Sequence, residues 1–289
     1  MNYTPCVSVR NITLGEGMPK ICIPLVSTCL DTLLTDMAKA LSCNADLIEW
    51  RADWMDNIFN DGYLEEILPA VRKAAGDTPL LFTFRTKNEG GHMDASLFQY
   101  KELVQKAICS GLVDLVDIEL FSDKDIVNEL IALAKEKNIK TILSNHDFSK
   151  TPSENEIFSR LKLMNNAGAD IAKIAVMPQN TEDVLTLLSA TCKAKKRTYM
   201  PCDHHVHGRD RSDQPFKRGS VWLLSDFWSC RKCFCSRSDQ CLNTPLCSGT
   251  AARKQLIALF QNLFRNTLFT QSSHFAQIFL TFFQYIYYR

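Results

Sequence analysis

Short β-branched or aliphatic runs alternate along the chain with longer stretches in which apolar residues recur at helical spacing. ICIPLV, DLIEWR (46–51), LLFTFR (80–85), LVDLVDIEL (112–120), KTILSN (140–145) and DIAKIAV (170–176) read as strands, with RTYM (197–200) as a seventh. Helical patterning falls near 31–43, 61–74, 96–110, 123–137, 154–167 and 180–194. The unit recurs every roughly 25 to 35 residues, with crossovers long enough for parallel pairing, so the pattern predicts an α/β fold: a (β/α)8 barrel or a doubly wound sheet. No Gly-x-Gly-x-x-Gly follows the first strand, which leaves a dinucleotide site without its signature.

Polar residues at the strand ends separate these two architectures. Glu49 and Arg51 close the second strand, Arg85 the third and Glu119 the fourth, His146 follows the fifth, and Lys173 lies within the sixth. In a barrel the C-terminal ends of all strands converge on one mouth, where these groups would meet around a single ligand. In an open sheet most would lie far apart. The plainer alternative is that such charges are solvated or paired with one another, and that a histidine after a strand only satisfies a hydrogen bond. Lys173 fits that alternative least, because a lysine inside DIAKIAV buries its charge unless it has a partner or a function.

A buried lysine at a barrel mouth suggests imine chemistry: desolvation and neighbouring cations free an amine to attack a ketone. The protonated imine then acts as an electron sink and acidifies the adjacent carbon. Histidine is the usual side chain for moving a proton there near neutral pH, and His146 is the candidate.

Composition narrows the partners. With 33 basic and 32 acidic residues the chain has no overall field to draw it to nucleic acid or a membrane surface, and its 46% apolar content can supply a sizeable core. The first 20 residues lack an apolar signal segment, so a cytoplasmic location is expected. The six cysteines from Cys6 to Cys192 then read as free, mostly buried thiols.

The motifs IEWRAD (48–53), LLFTFRTKNEGG (80–91), LVDLVDIELF (112–121), SNHDFSKTP (144–152) and GADIAKIAVMPQ (168–179) resemble those of type I 3-dehydroquinate dehydratases, over about Val9 to Pro201. The resemblance implies a (β/α)8 TIM barrel of the shikimate pathway that needs neither metal nor organic cofactor, acts on the small molecule 3-dehydroquinate, and forms a homodimer when the barrel is complete. It implies that Lys173 forms a Schiff base with the substrate ketone and that His146 moves the protons. Glu89 would orient or tune His146, while Glu49, Arg51 and Arg85 would bind ring hydroxyls and position the substrate. Another Schiff-base barrel enzyme such as an aldolase, or a binding module, remains as an alternative.

After Pro201 the resemblance stops and the composition changes. No glutamate follows Glu182 and no acidic residue follows Asp239. Cys230, Cys233, Cys235, Cys241 and Cys247, with His204, His205 and His207 upstream, include one Cys-x-x-Cys but no second matching pair, a poor zinc signature. The terminal FAQIFLTFFQYIYYR is interrupted by glutamines and falls short of the about 20 apolar residues that span a membrane. A shift of reading frame near codons 198–202 explains the tail more simply. The codons for Asp-His-His-Val-His-Gly (203–208), read one base later, permit Ile-Thr-Met-Ser-Met, and later stretches permit further family-like strings containing the arginine, serine and glutamine that grip the substrate carboxylate. The expected organisation is therefore an incomplete barrel over 1–201, with strands seven and eight replaced over 202–289 by an unrelated, poorly ordered tail. An inactive remnant of the enzyme becomes the main rival reading.

Overall fold

The computed structural model describes residues 6–15, 20–198, 202–206, 221–224 and 227–229, with side chains over 6–15 and 20–194. It opens with a hairpin, β1 (Val7–Val9) and β2 (Ile12–Leu14). Then β3 (Lys20–Leu25), β4 (Leu47–Arg51), β5 (Leu80–Thr83), β6 (Leu115–Glu119), β7 (Lys140–His146), β8 (Ile171–Val176) and β9 (Cys202–Val206) lie side by side, each parallel to the next, in one curled sheet. The helices α1 (Leu30–Ser42), α2 (Tyr63–Ala75), α3 (Leu97–Ser110), α4 (Lys124–Glu136), α5 (Glu154–Asn166) and α6 (Thr181–Thr198) make the crossovers. This is the repeating βα unit of a (β/α)8 barrel. At the sheet ends, β10 (Val221–Leu224) runs antiparallel to β9, and β11 (Phe227–Ser229) runs parallel to β3.

The helices form where the sequence supplies starts and stripes. Ser96 and Gln99 make a reciprocal capping box at α3, and the side chains of Asp123 and Ser153 accept from the first-turn N–H groups of α4 and α5. Along α4 the buried residues Val127, Leu130, Ile131 and Ala134 follow a three-four spacing, one stripe facing the sheet. Strands β4, β5, β6 and β8 are buried at every position, on the outer face by helices and on the inner face by one another.

Inside the sheet the two-residue period of a strand sorts side chains into layers. Cys22, Leu47, Leu81, Leu115, Ile142 and Ile171 form an apolar floor, and Val7, Val9 and Leu14 of the hairpin pack against it from below. Arg10, at the hairpin turn, bonds Asp114 at 2.5 Å, and Arg72 of α2 bonds the same carboxylate at 2.8 Å, fixing the hairpin to the base of β6. Two residues further along the strands the inner positions turn polar: Glu49, Thr83, Asp117, Ser144 and Lys173.

Two expectations need correction. RTYM does not begin a strand, because α6 continues through Thr198 and the next strand starts at Cys202; the lysine-rich end of that helix has strong helical propensity and no glycine or proline to stop it. The thiols are not mostly buried: Cys22 is buried and Cys43 half-buried, whereas Cys6, Cys29, Cys109 and Cys192 are exposed, since they lie on helix or loop surfaces rather than at inner strand positions. The rest of the 202–289 segment lies outside the described residues.

The floor yields a direct test. Leu115 is fully buried among the hairpin and strand side chains. Leu115→Ala should lower unfolding free energy by about 2–5 kcal/mol in urea titrations; a loss below about 1 kcal/mol would mean that the floor is not packed as described.

Candidate active site

The polar layers put eight ionisable side chains into a space almost without water. Glu49, Arg51, Asp53, Arg85, Glu89, Asp117, Glu119 and Lys173 are all buried, with Lys173 at 2% exposure and Asp117 at 0%. Charges this deep persist only when they are paired and hydrogen-bonded.

Asp117 is the centre of the pairing. Its Oδ1 accepts from Nη2 of Arg85 at 2.8 Å and from the Ser144 hydroxyl at 2.5 Å, and its Oδ2 lies 3.3 Å from Nζ of Lys173. Burial works to raise its pKa, but Arg85, Lys173 and the Ser144 and Arg85 hydrogen bonds outweigh that and hold it below the ordinary value. Glu49 Oε1 is 3.9 Å from the same amine. Two carboxylates thus stand beside Lys173, with the Arg85 cation on the far oxygen of one of them.

Arg85 spans the mouth. Its Nη1 donates to Glu119 Oε1 and to Ser144 Oγ, both at 3.0 Å, and lies 3.6 Å from Glu89. Burial would lower its pKa, yet Asp117, Glu119 and Glu89 together push it well above the ordinary value. Arg51 donates Nε and Nη2 to the two oxygens of Asp53, both at 2.7 Å. Asp53 also accepts from the backbone N–H groups of Arg85 and His92, which closes loop 86–92 over this side of the mouth.

That loop aims Glu89 inward. A single turn of 3-10 helix, Lys87–Glu89, ends at Gly90 with φ +79, and Gly91 N–H donates to Thr86 O at 2.8 Å. A Cβ on Gly91 would lie 1.8 Å from the Arg85 carbonyl oxygen, so only glycine permits this close approach. Glu89 Oε2 meets His146 Nδ1 at 2.9 Å, and Asn145 Nδ2 donates to Oε1 at 3.1 Å. His146 stacks near-parallel beneath Phe148, ring centroids 6.3 Å apart. The Glu89 carboxylate thus fixes the Nδ1 edge of the ring.

The structure therefore brings Lys173, His146, Glu89, Glu49, Arg51 and Arg85 to one end of the sheet. The sequence reading missed Asp53, Asp117, Ser144 and Asn145. Three of these had a visible signal, the two-residue alternation that sets Asp53 beyond Glu49 and Arg51, Asp117 before Glu119, and Ser144 before His146. The histidines and cysteines weighed as a zinc site have no described side chains, and no group of His, Cys, Asp or Glu among the described residues is arranged to hold a metal. Among the described residues no helix is long and apolar enough to cross a membrane.

The curled parallel βα sheet, with a buried lysine and a carboxylate-held histidine at one end, defines an α/β barrel-type domain with an ionisable site at its strand ends. Residues 21–202 match the family described as type I 3-dehydroquinase, and the chain belongs to that family. A 3-dehydroquinate dehydratase of Clostridioides difficile is 45% identical over 185 residues, covering 64% of this chain and 72% of that protein. One from Bacillus licheniformis is 45% identical over 191 residues, covering 66% and 75%. A crystal structure of the C. difficile type I enzyme with covalently modified comenic acid superposes with a TM-score of 0.69 at 42% identity, covering 70% of this chain and 81% of that one. The Enterococcus faecalis enzyme gives 0.68 at 41%, covering 70% and 85%.

Glu89 provides the pH test. Burial raises it from 4.5 to about 7, with Glu119 and Asp117 adding to the rise and Arg85 and the Asn145 amide opposing it. Between those values the folded chain keeps a proton that the unfolded chain has released. Stability from this group is therefore fully present below about 4.5 and is lost as pH rises through about 7. Glu89→Gln should flatten the stability curve over that window in denaturant titrations; curves that stay parallel to the parent's would refute the assignment.

Proposed function

We propose that the chain is a 3-dehydroquinate dehydratase that works through an imine on Lys173, the observation that carries it being the buried amine at the same end of the sheet as the Glu89–His146 pair. The amine adds to the substrate ketone and the carbinolamine loses water to give a protonated imine. Asp117 and Glu49, 3.3 and 3.9 Å from Nζ, offset its positive charge. His146, held by Glu89, takes a proton from the adjacent carbon, and the resulting enamine expels the neighbouring hydroxyl as His146 returns the proton. Hydrolysis of the conjugated imine frees 3-dehydroshikimate and the lysine. Glu49 and the uncommitted Nη1 of Arg51 face ring hydroxyls, while Arg85 holds the layer beneath them. A homodimer, a cytoplasmic location and a place in aromatic biosynthesis belong to this same reading.

A second reading has its own observation. The family match ends at residue 202, and among the described residues Arg51 and Arg85 at the mouth are both paired with carboxylates, which offsets their charge toward an anionic substrate. On this reading the domain proper is 1–201, the segment 202–289 is out-of-frame translation, and the 289-residue polypeptide is an inactive remnant whose imine chemistry has lost its positioning energy.

Adding dehydroquinate to the purified chain distinguishes the two. Turnover, seen as enone absorbance, that falls about 10²–10⁴-fold in His146→Ala and disappears in Lys173→Ala supports the enzyme. A borohydride-trapped adduct on Lys173 without turnover supports the remnant, and neither adduct nor turnover would sink the function.

A further inference from the structure

Behind the Glu89–His146 pair a line of hydrogen bonds runs outward to the surface of α5. Arg160 Nη1 donates to Asn145 Oδ1 at 2.8 Å, Asn145 Nδ2 donates to Glu89 Oε1 at 3.1 Å, and Glu89 Oε2 meets His146 Nδ1 at 2.9 Å. We propose that Asn145, pinned by Arg160, is a positioning residue that fixes the carboxylate plane of Glu89 and through it the ring of His146. This rests on the imine reading of the site for its purpose, though not for its geometry.

The donor inventory dictates the direction of the line. A guanidinium can only donate, so the amide atom facing Arg160 must be the oxygen, and the amide nitrogen is left pointing at Glu89. Without Arg160 the amide could turn and set its oxygen against the carboxylate. Asn145 is 4% exposed, so the alternative of solvating either end is closed to it. Arg160 is itself held, by an ion pair to Glu156 one turn earlier and by the Phe121 ring 5.7 Å from its guanidinium carbon. Asp147 lies within its field as well. The charged groups facing Glu89 are Arg85 from the end of β5, Asp117 and Glu119 from β6 and His146 from β7. Two of these carboxylates oppose ionisation of Glu89, and the Asn145 amide favours it.

The test is made on the full 289-residue chain by NMR, following the Glu89 carboxyl carbon, assigned by its loss in Glu89→Gln, and the ring nitrogens of His146. In the parent His146 should show one tautomer, Nδ1–H. Asn145→Leu should raise the Glu89 midpoint by about half a pH unit or more and mix the tautomers. Arg160→Met should shift both in the same direction, whereas Arg160→Lys, which can still donate to Oδ1, should stay near the parent. If Asn145→Leu fails to fold, the Met and Lys variants at position 160 decide alone. Folded variants that titrate like the parent would overturn the proposal and leave Asn145 a merely satisfied buried amide. Borohydride trapping on the same samples reads the imine separately, so failure of the function and failure of the relay are distinguishable.

Discussion

One carboxylate, Asp117, reconciles two cations with a nearly dry interior. It stands fully buried on β6, bonded to Arg85 on one oxygen and facing Lys173 with the other. Desolvating three charges costs several kcal/mol per ion, and only close mutual pairing with added hydrogen bonds offsets that. The hydroxyl of Ser144 supplies such a bond to Asp117, and the backbone N–H of Thr86 supplies one at 2.8 Å to Glu119, the other carboxylate on Arg85. The arrangement adds little net stability over an apolar core. Its consequence is a lysine held at a fixed place among the strand ends, beside two carboxylates.

This lattice is possible because the strand period separates duties. Floor positions are apolar and close the base with the N-terminal hairpin. The next inner positions, two residues on, carry charge. Parallel pairing sets Ser144 beside Glu119 on one side and Lys173 on the other, so the polar layer follows from register as much as from composition. The family match ends where β9 begins, and the antiparallel β10 departs from the all-parallel order of the strands before it.

Much of this was legible beforehand. The six helices and strands β3 to β8 follow the hydrophobic spacing closely, and the strand-end charges pointed to one mouth. The hairpin was missed because VSV and ITL are too short to stand out, and the positive φ of their turn falls on Arg10 rather than on a glycine. Both readings of the strand-end charges turn out to hold: they converge, and they pair with one another. A pattern along one strand cannot tell which partner across the sheet it will meet, which is why the pairing of Asp117 with Arg85 and Lys173, and of Asn145 with Glu89, escaped notice. Arg160 gave no signal at all, since a helix-surface arginine usually faces water.

The most direct measurement is the unfolding free energy of Asp117→Asn. The substitution keeps the shape and removes the countercharge of Arg85 and Lys173. The lattice predicts a loss of about 3–5 kcal/mol, much of it recovered when Lys173→Met is added, because the two positions are coupled. A loss below about 1 kcal/mol, with no coupling between the two sites, would contradict a central role for Asp117.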